Sequence, residues 1–181
     1  MKKAKGTILV DFIKTMKADK SGMFTKYLTD EDRKILGQRI MPSAWYPYET
    51  FKHCFQAAYE ILAKSNPETV KQWGRLYGSA IMGGIYKNLL KAGEPMEYIK
   101  KYEVYVKNFL DFGKIEIKEE GNKQVVLKLF DFDPDFTPLY YIMYGWLECT
   151  LEMVGAKDLK IEILPKSPSD KHDAAIRMTW T

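Results

Sequence analysis

Four kinds of side chain in this 181-residue sequence could do chemistry: two cysteines, two histidines, clustered acids and a high proportion of aromatic rings. Cys54 and Cys149 lie far apart in segments of helical periodicity, so structural thiols are expected rather than a disulfide or a metal site. His53 and His172 cannot build a metal centre without other ligands, and His53 falls on the polar side of its helix, the place of a solvated imidazole. Asp131, Asp133 and Asp135 resemble a calcium loop in spacing, but the glycine and terminal glutamate of such loops are missing. Glu148 and Glu152 stand one helical turn apart on a polar face, where a solvated pair is the default. No nucleophile and base, and no converging carboxylates, can be paired from the residues. No C-x-x-C, H-E-x-x-H, G-x-S-x-G, phosphate-loop or G-x-G-x-x-G pattern occurs. The expectation is a protein that is not an enzyme.

Binding chemistry is better represented. Phe, Trp and Tyr make up 14% of the chain, and Trp73, Tyr77, Tyr86, Tyr105, Tyr140, Tyr144 and Trp146 all fall in segments read as helices. Such rings either fill a core or line an apolar pocket with phenolic oxygens as polar handles. Arg75 adjoins an uncharged run, so it must extend outward or pair with a carboxylate; the carboxylate is expected, and an acidic ligand head-group is the alternative. Gly78 and Gly84 leave room on the same helix, for a neighbouring helix or for a ligand. The candidate pocket residues are therefore Trp73, Arg75, Tyr77, Gly78, Gly84, Tyr105, Tyr140, Tyr144 and Trp146.

The element that must position most of them runs from Asn66 to Ala92. Asn66 suits an N-cap, Pro67 the first helical position and Glu68 the positive end of the dipole, and Gly93 ends the run. Between Leu76 and Tyr86 no side chain is charged, which predicts a central helix wrapped by other elements. Upstream, Ile8, Leu9, Phe12, Ile13 and Met16 predict a first amphipathic helix over residues 6–20, and Thr29 with Asp30, Glu31 and Asp32 predicts a second as far as Ile40. Tyr48, Phe51, Phe55, Ala58, Tyr59 and Leu62 form the inner face of a third. Downstream, Met96, Ile99, Tyr102, Val106 and Leu110 predict one helix closed by Gly113.

The period then changes from 3.6 to 2. Lys114–Lys118 alternates, residues 120–122 turn, and Lys123–Phe130 returns, which predicts a β-hairpin. A helix from Thr137 to Val154, with Tyr141, Gly145, Glu148 and Glu152 on its outer side, precedes strands over 159–164 and 174–181. The fold class is α+β: a helical first two-thirds packed on a C-terminal antiparallel sheet of about four strands in ββαββ order. One domain over 1–181 is expected.

Charge narrows the partners. Twenty-eight Lys and Arg against 24 Asp and Glu leave +4, spread in mixed-sign clusters without a basic block, which argues against nucleic acid. Asp11 interrupts the apolar run after residues 2–5 too early for a secretory segment, and no span approaches the roughly 20 apolar residues of a membrane helix. A cytoplasmic location is expected.

Several landmarks together resemble one family: Tyr46-Pro47-x-x-x-Phe51 at a helix start, Trp73-Gly74-Arg75 in a glycine-bearing helix, the hairpin, and Tyr144-Gly-Trp-Leu-Glu148 running to Val154-Gly155-Ala156 before Lys-Ile-Glu-Ile. Over residues 20–181 the chain is similar to bacterial domains of unknown function in the ligand-binding fold shared by haem nitric-oxide sensors, 4-vinyl-reductase-type domains and small TRAPP tethering subunits. That resemblance implies a regulatory domain that senses an apolar small molecule beside the central helix. The alternative it implies is a protein-interaction or homodimerisation module with a filled interior. Haem sensors of this fold use a proximal histidine on a helix before the sheet and a Tyr-x-Ser-x-Arg motif. Residues 94–112 hold no histidine and Tyr77-Gly-Ser-Ala-Ile81 lacks the arginine, so no cofactor is expected and haem is disfavoured. Some TRAPP subunits carry an acylated cysteine, of which Cys54 is a loose analogue.

Overall fold

Thr29 opens a helix as the sequence pattern requires: its side chain accepts from the Asp32 amide while the Asp32 carboxylate accepts from the Thr29 amide, a reciprocal capping box. In the computed structural model, which describes residues 1–84 and 93–181, the chain divides into two compact units. The first comprises Met1–Pro67 and Tyr105–Phe112, the second Glu68–Val104 and Gly113–Thr181.

The first unit holds β1 (Lys3–Lys5), α1 (Gly6–Ala18), a 3₁₀ turn at Phe24–Tyr27, α2 (Asp30–Leu36), β2 (Trp45–Pro47) and α3 (Tyr48–Ile61). The helices stand where periodicity placed them, but α2 stops at Leu36 rather than Ile40, with Gly37 as its cap. On α3, Tyr48, Phe51, Phe55 and Ala58 are buried while Leu62 is 49% exposed, so the inner face ends a turn early. Phe12, Phe51 and Phe55 form the centre of an aromatic cluster with ring centroids 5.6–5.9 Å apart. The antiparallel pairing of β1 with β2, Ala4 opposite Tyr46, is new to the sequence reading; three residues are too few to show an alternating pattern. The Lys5 amide donates to the Phe109 carbonyl (2.8 Å) and the Asp111 amide to that of Lys3 (3.1 Å), which ties residues 105–112 to this unit.

The second unit is built from α4 (Pro67–Gly83), α5 (Pro95–Lys100), α6 (Tyr102–Lys107, shared between the units), β3 (Lys114–Gly121), β4 (Gln124–Phe130), α7 (Thr137–Met153), β5 (Lys160–Ile163) and β6 (Ala174–Thr179). The helix predicted through Ala92 is seen as far as Gly83; residues 85–92 lie outside the described residues. The single helix predicted after Pro95 is two. The Lys101 amide turns back to the Tyr98 carbonyl (3.0 Å), a tightened turn that breaks the ladder between them.

The four C-terminal strands form one antiparallel sheet in the order β3-β4-β6-β5. The fold is α+β, with α7 inserted between the two strand pairs as the ββαββ reading expected. Val125, Leu127 and Leu129 of β4, Ile176 and Met178 of β6, and Leu147 and Leu151 of α7 are all at most 2% exposed and make the core of this unit. Among the described residues no helix is long and apolar enough to cross a membrane.

Candidate functional site

α4 and α7 meet backbone to backbone, and glycine is what allows it. A β-carbon on Gly74 would run into the Ile142 carbonyl, one on Gly145 into the Lys71 carbonyl, and one on Gly78 would lie 3.2 Å from the Trp146 Cα. Gly74 and Gly78 therefore serve close helix packing, and α7 fills the space beside them. Two expectations change here. Gly145 was assigned to the outer side of α7 and is buried, because α7 is covered on that side by α4. α4 itself is not wrapped all round: Leu76 is 71% exposed, and Ser79, Ala80 and Gly83 are exposed with it. An uncharged helix face of small residues does not need covering, since much of any protein surface is apolar. Gly84 follows the last turn of α4, exposed, where a β-carbon would meet the Ala80 carbonyl of its own helix at 3.0 Å.

Arg75 carries the carboxylate partners expected of it. Its guanidinium donates to Glu148 (2.8 Å) and to Glu152 (2.7 Å), and Lys71 reaches the other oxygen of Glu148 at 2.9 Å. The hydrogen bond it donates to Glu152, then that to Glu148, holds the guanidinium proton more firmly than usual against the opposing effect of burial. Glu148 and Glu152 are thus bridging acids and not the solvated pair expected of them; the Glu148 side chain is only 17% exposed. Both terminal nitrogens of Arg75 are engaged, which leaves the acidic head-group option without support. Cys149 is a free thiol beside this network, pushed up by burial first.

The rings divide into separate sets. Tyr77 stands edge-on to Trp146 (centroids 6.4 Å), the Trp146 indole donates to the Tyr98 hydroxyl (3.1 Å), Tyr98 lies 6.4 Å from Tyr102, and the Tyr102 hydroxyl donates to the Met143 carbonyl (3.0 Å). Tyr102 was expected only as an inward packing position and Tyr98 was not named; they stand on α5 and α6, on either side of the tightened turn at Lys101. Trp73 and Tyr77 are half-buried on α4. Tyr140 and Tyr144, on α7, are buried; the Tyr140 hydroxyl accepts from the Asp133 amide (3.3 Å) and Tyr144 lies 6.1 Å from Tyr141. Burial raises both phenols, and the Asp173 charge raises Tyr140 further. Tyr105, also buried and raised by burial, belongs to the first unit. Tyr105, Tyr140 and Tyr144 are therefore held in the protonated form by burial.

The polar residues of the first unit are paired. His53 is not a solvated imidazole: its Nδ1 lies 2.7 Å from a carboxylate oxygen of Asp32, which is 3% exposed. Cys54 is fully buried, with Met16 Sδ at 4.0 Å, and its thiol is pushed up to about 12 by burial and then by the Asp32 charge. A thiol so poorly ionised is a weak nucleophile, which removes the physical basis for ready acylation there. Native protein at pH 8 should leave Cys54 unlabelled by a thiol reagent that labels it at once in denaturant. Rapid native labelling at Cys54, mapped by mass spectrometry, would contradict the burial.

His172 precedes β6 and is 5% exposed; its Nε2 is buried with no hydrogen-bond partner among the described residues. Its ring stands edge-on to Phe130 at 6.2 Å. The neighbouring Asp173 pins the segment to β4, accepting from the Phe132 amide (2.7 Å) and donating its own amide to the Leu129 carbonyl (2.6 Å). Nothing in the polar stretch Asp170-Lys-His-Asp173 announces a buried imidazole. Among the described residues no three His, Cys, Asp or Glu side chains converge on a metal position.

This architecture is the H-NOX fold. Similar solved structures include the Fe(II) unliganded H-NOX protein from K. algicida (14% identity, 98% of this chain and 96% of that one, TM-score 0.69). Another is an oxygen-binding H-NOX domain related to soluble guanylate cyclases (15%, 97% and 94%, 0.61). A third is described by the modulation of haem redox potential through porphyrin distortion (15%, 97% and 99%, 0.61). Within that fold class, the chain belongs to the family described as "Protein of unknown function (DUF2378)", whose model matches residues 32–181. No curated protein matches it.

These structures correct the expectation that there is no cofactor and that haem is disfavoured, because the proteins sharing the fold are described as Fe(II) and haem proteins. That expectation rested on two local patterns, the absence of a histidine from residues 94–112 and of the arginine from Tyr77-Gly-Ser-Ala-Ile81. The donor atoms present can be tested against an iron. His53 Nδ1 is engaged by Asp32 and the Cys54 thiol is held protonated, whereas His172 Nε2 is buried and unpartnered, so the described residues include an imidazole nitrogen that fits.

Proposed function

We propose that this chain is a sensory or regulatory domain that binds a small molecule, without catalysis of its own, and that haem is the ligand to test first. The reading is supported by the likeness to H-NOX structures over 94% or more of each chain compared, together with the orphaned Nε2 of His172. Bound haem would supply an iron able to take up a diatomic gas. His172 would hold the iron through its Nε2, and the separate cluster of half-buried Trp73, Tyr77 and Trp146 would offer a bound molecule apolar ring surface with the Tyr98 hydroxyl as a polar handle.

Titration of the purified protein with haem should produce a Soret band that saturates at one haem per chain, with the corresponding mass in native mass spectrometry. His172→Ala should lose or shift that band, and added imidazole should restore it. A protein that stays colourless but carries another apolar molecule would keep the sensor reading and remove haem from it. Absence of any ligand, native or added, would defeat the reading altogether.

A further inference from the structure

The two edges of the four-stranded sheet are finished differently. Along β3, the Ile115 amide donates to the Glu103 carboxylate (2.7 Å) and Lys100 lies 3.4 Å from Glu119, so helix residues cap that edge. β5 has no such cover among the described residues. Ile163 is 52% exposed and the Glu162 side chain 61%. The Leu164 amide donates to the Ala175 carbonyl (2.9 Å), and because an antiparallel ladder alternates, Lys160 and Glu162 also turn their backbone toward β6. Leu159, Ile161 and Ile163 then present their amides and carbonyls to the open side. The exposed stretch is bounded by Asp158 at φ +49° and by Pro165, which has no amide to donate.

We propose that β5 pairs antiparallel with β5 of a second copy of this chain, about a two-fold axis through Ile161, joining two four-stranded sheets into one of eight. The charges select this register. Outward groups can meet outward groups only in registers that differ by two residues. Centring the axis on Lys160 sets Lys160 against itself, and centring it on Glu162 sets Glu162 against itself. Centring it on Ile161 places Lys160 opposite Glu162 of the second copy, twice, in the closely spaced non-hydrogen-bonded positions. The same register sets the exposed Ile163 opposite Leu159 and offers three outward pairs with two backbone hydrogen bonds each. The charged row on this sheet face already alternates, with Lys118–Glu120 at 3.3 Å, Glu120–Arg177 at 3.3 Å and Arg177–Glu162 at 3.1 Å. Lys160 of a second copy is the next sign in that row, and a two-fold contact of this kind closes on itself without forming fibres. The pairing does not depend on the ligand reading.

Sedimentation velocity of the whole chain across a dilution series tests it. The wild-type chain should show a reversible monomer–dimer equilibrium. Ile161→Pro removes an amide that faces outward and not toward β6, so it should yield monomer with an unchanged circular dichroism spectrum. Lys160→Glu should weaken the dimer about tenfold by setting like charges opposite twice, and Lys160→Glu combined with Glu162→Lys should restore it. A wild-type monomer at every concentration, a dimer indifferent to Ile161→Pro and Lys160→Glu, or a double variant no tighter than Lys160→Glu alone would overturn the proposal.

Discussion

Gly145→Ala should destabilise the second unit by about 2–3 kcal/mol, even though alanine is the better helix former by about 1 kcal/mol. The added methyl has nowhere to go. It would be driven into the Lys71 carbonyl, with the Arg75 amide next at 3.1 Å, and both are backbone atoms of a helix that cannot yield as a side-chain tip can. The facing position repeats the problem, since a β-carbon on Gly74 meets the Ile142 carbonyl. The two helices must therefore separate, and separation loosens the Lys71–Glu148–Arg75–Glu152 network that spans the same contact. Gly83→Ala is the control on the same element. Among the described residues its β-carbon would find Met153 Cε at 4.0 Å and nothing nearer, so the propensity gain decides and the variant should be more stable by about 0.5–1 kcal/mol. Urea denaturation followed by tryptophan fluorescence reads both, because Trp73 and Trp146 lie in this unit. Equal and small effects at the two glycines would mean that α4 and α7 do not touch as described.

The contrast between these glycines shows where sequence reasoning succeeds and where it stops. That the glycines of α4 leave room was legible from the sequence, which left open whether a neighbouring helix or a ligand takes it. Which glycine touches what depends on α7, more than sixty residues further along. The inner face of α3 and the β3–β4 hairpin were legible because local period alone dictates them. β1 and β2 were not, since a three-residue strand is specified by its partner rather than by its own pattern. Arg75 was legible as a charge needing a carboxylate, but its partners lie 73 and 77 residues away. His53 was misplaced for a related reason. A helical wheel says which side is polar, but not that a buried acid from another helix waits there. His172 left no trace, because one imidazole in a polar stretch is buried only by how that stretch folds back on β4.

Asp32→Asn should be the most damaging polar substitution in the first unit, at about 3 kcal/mol near neutral pH. The Asp32 carboxylate accepts from the Thr29 amide (2.8 Å), the Thr29 hydroxyl (2.7 Å), the Thr50 side chain and His53 Nδ1 (2.7 Å). An amide in its place turns one acceptor into a donor aimed at donors, within a site where water cannot compensate. Burial by itself would raise the Asp32 carboxyl, but these hydrogen bonds to the charged form outweigh it and hold the group below its ordinary value of 3.8. Because the folded value is the lower one, ionised Asp32 stabilises the fold at all pH above the unfolded value. That contribution drains away as the pH falls through the folded value. Melting temperatures of the wild type and Asp32→Asn should thus differ most at neutral pH and converge below about pH 4. The exposed carboxylates Asp19, Glu60 and Glu120, also held low by hydrogen bonds, titrate in both proteins and cancel in the difference. A gap that stays constant down to strongly acidic pH would show that the loss comes from packing and not from the charge, and would remove Asp32 as the electrostatic pin between α2 and α3.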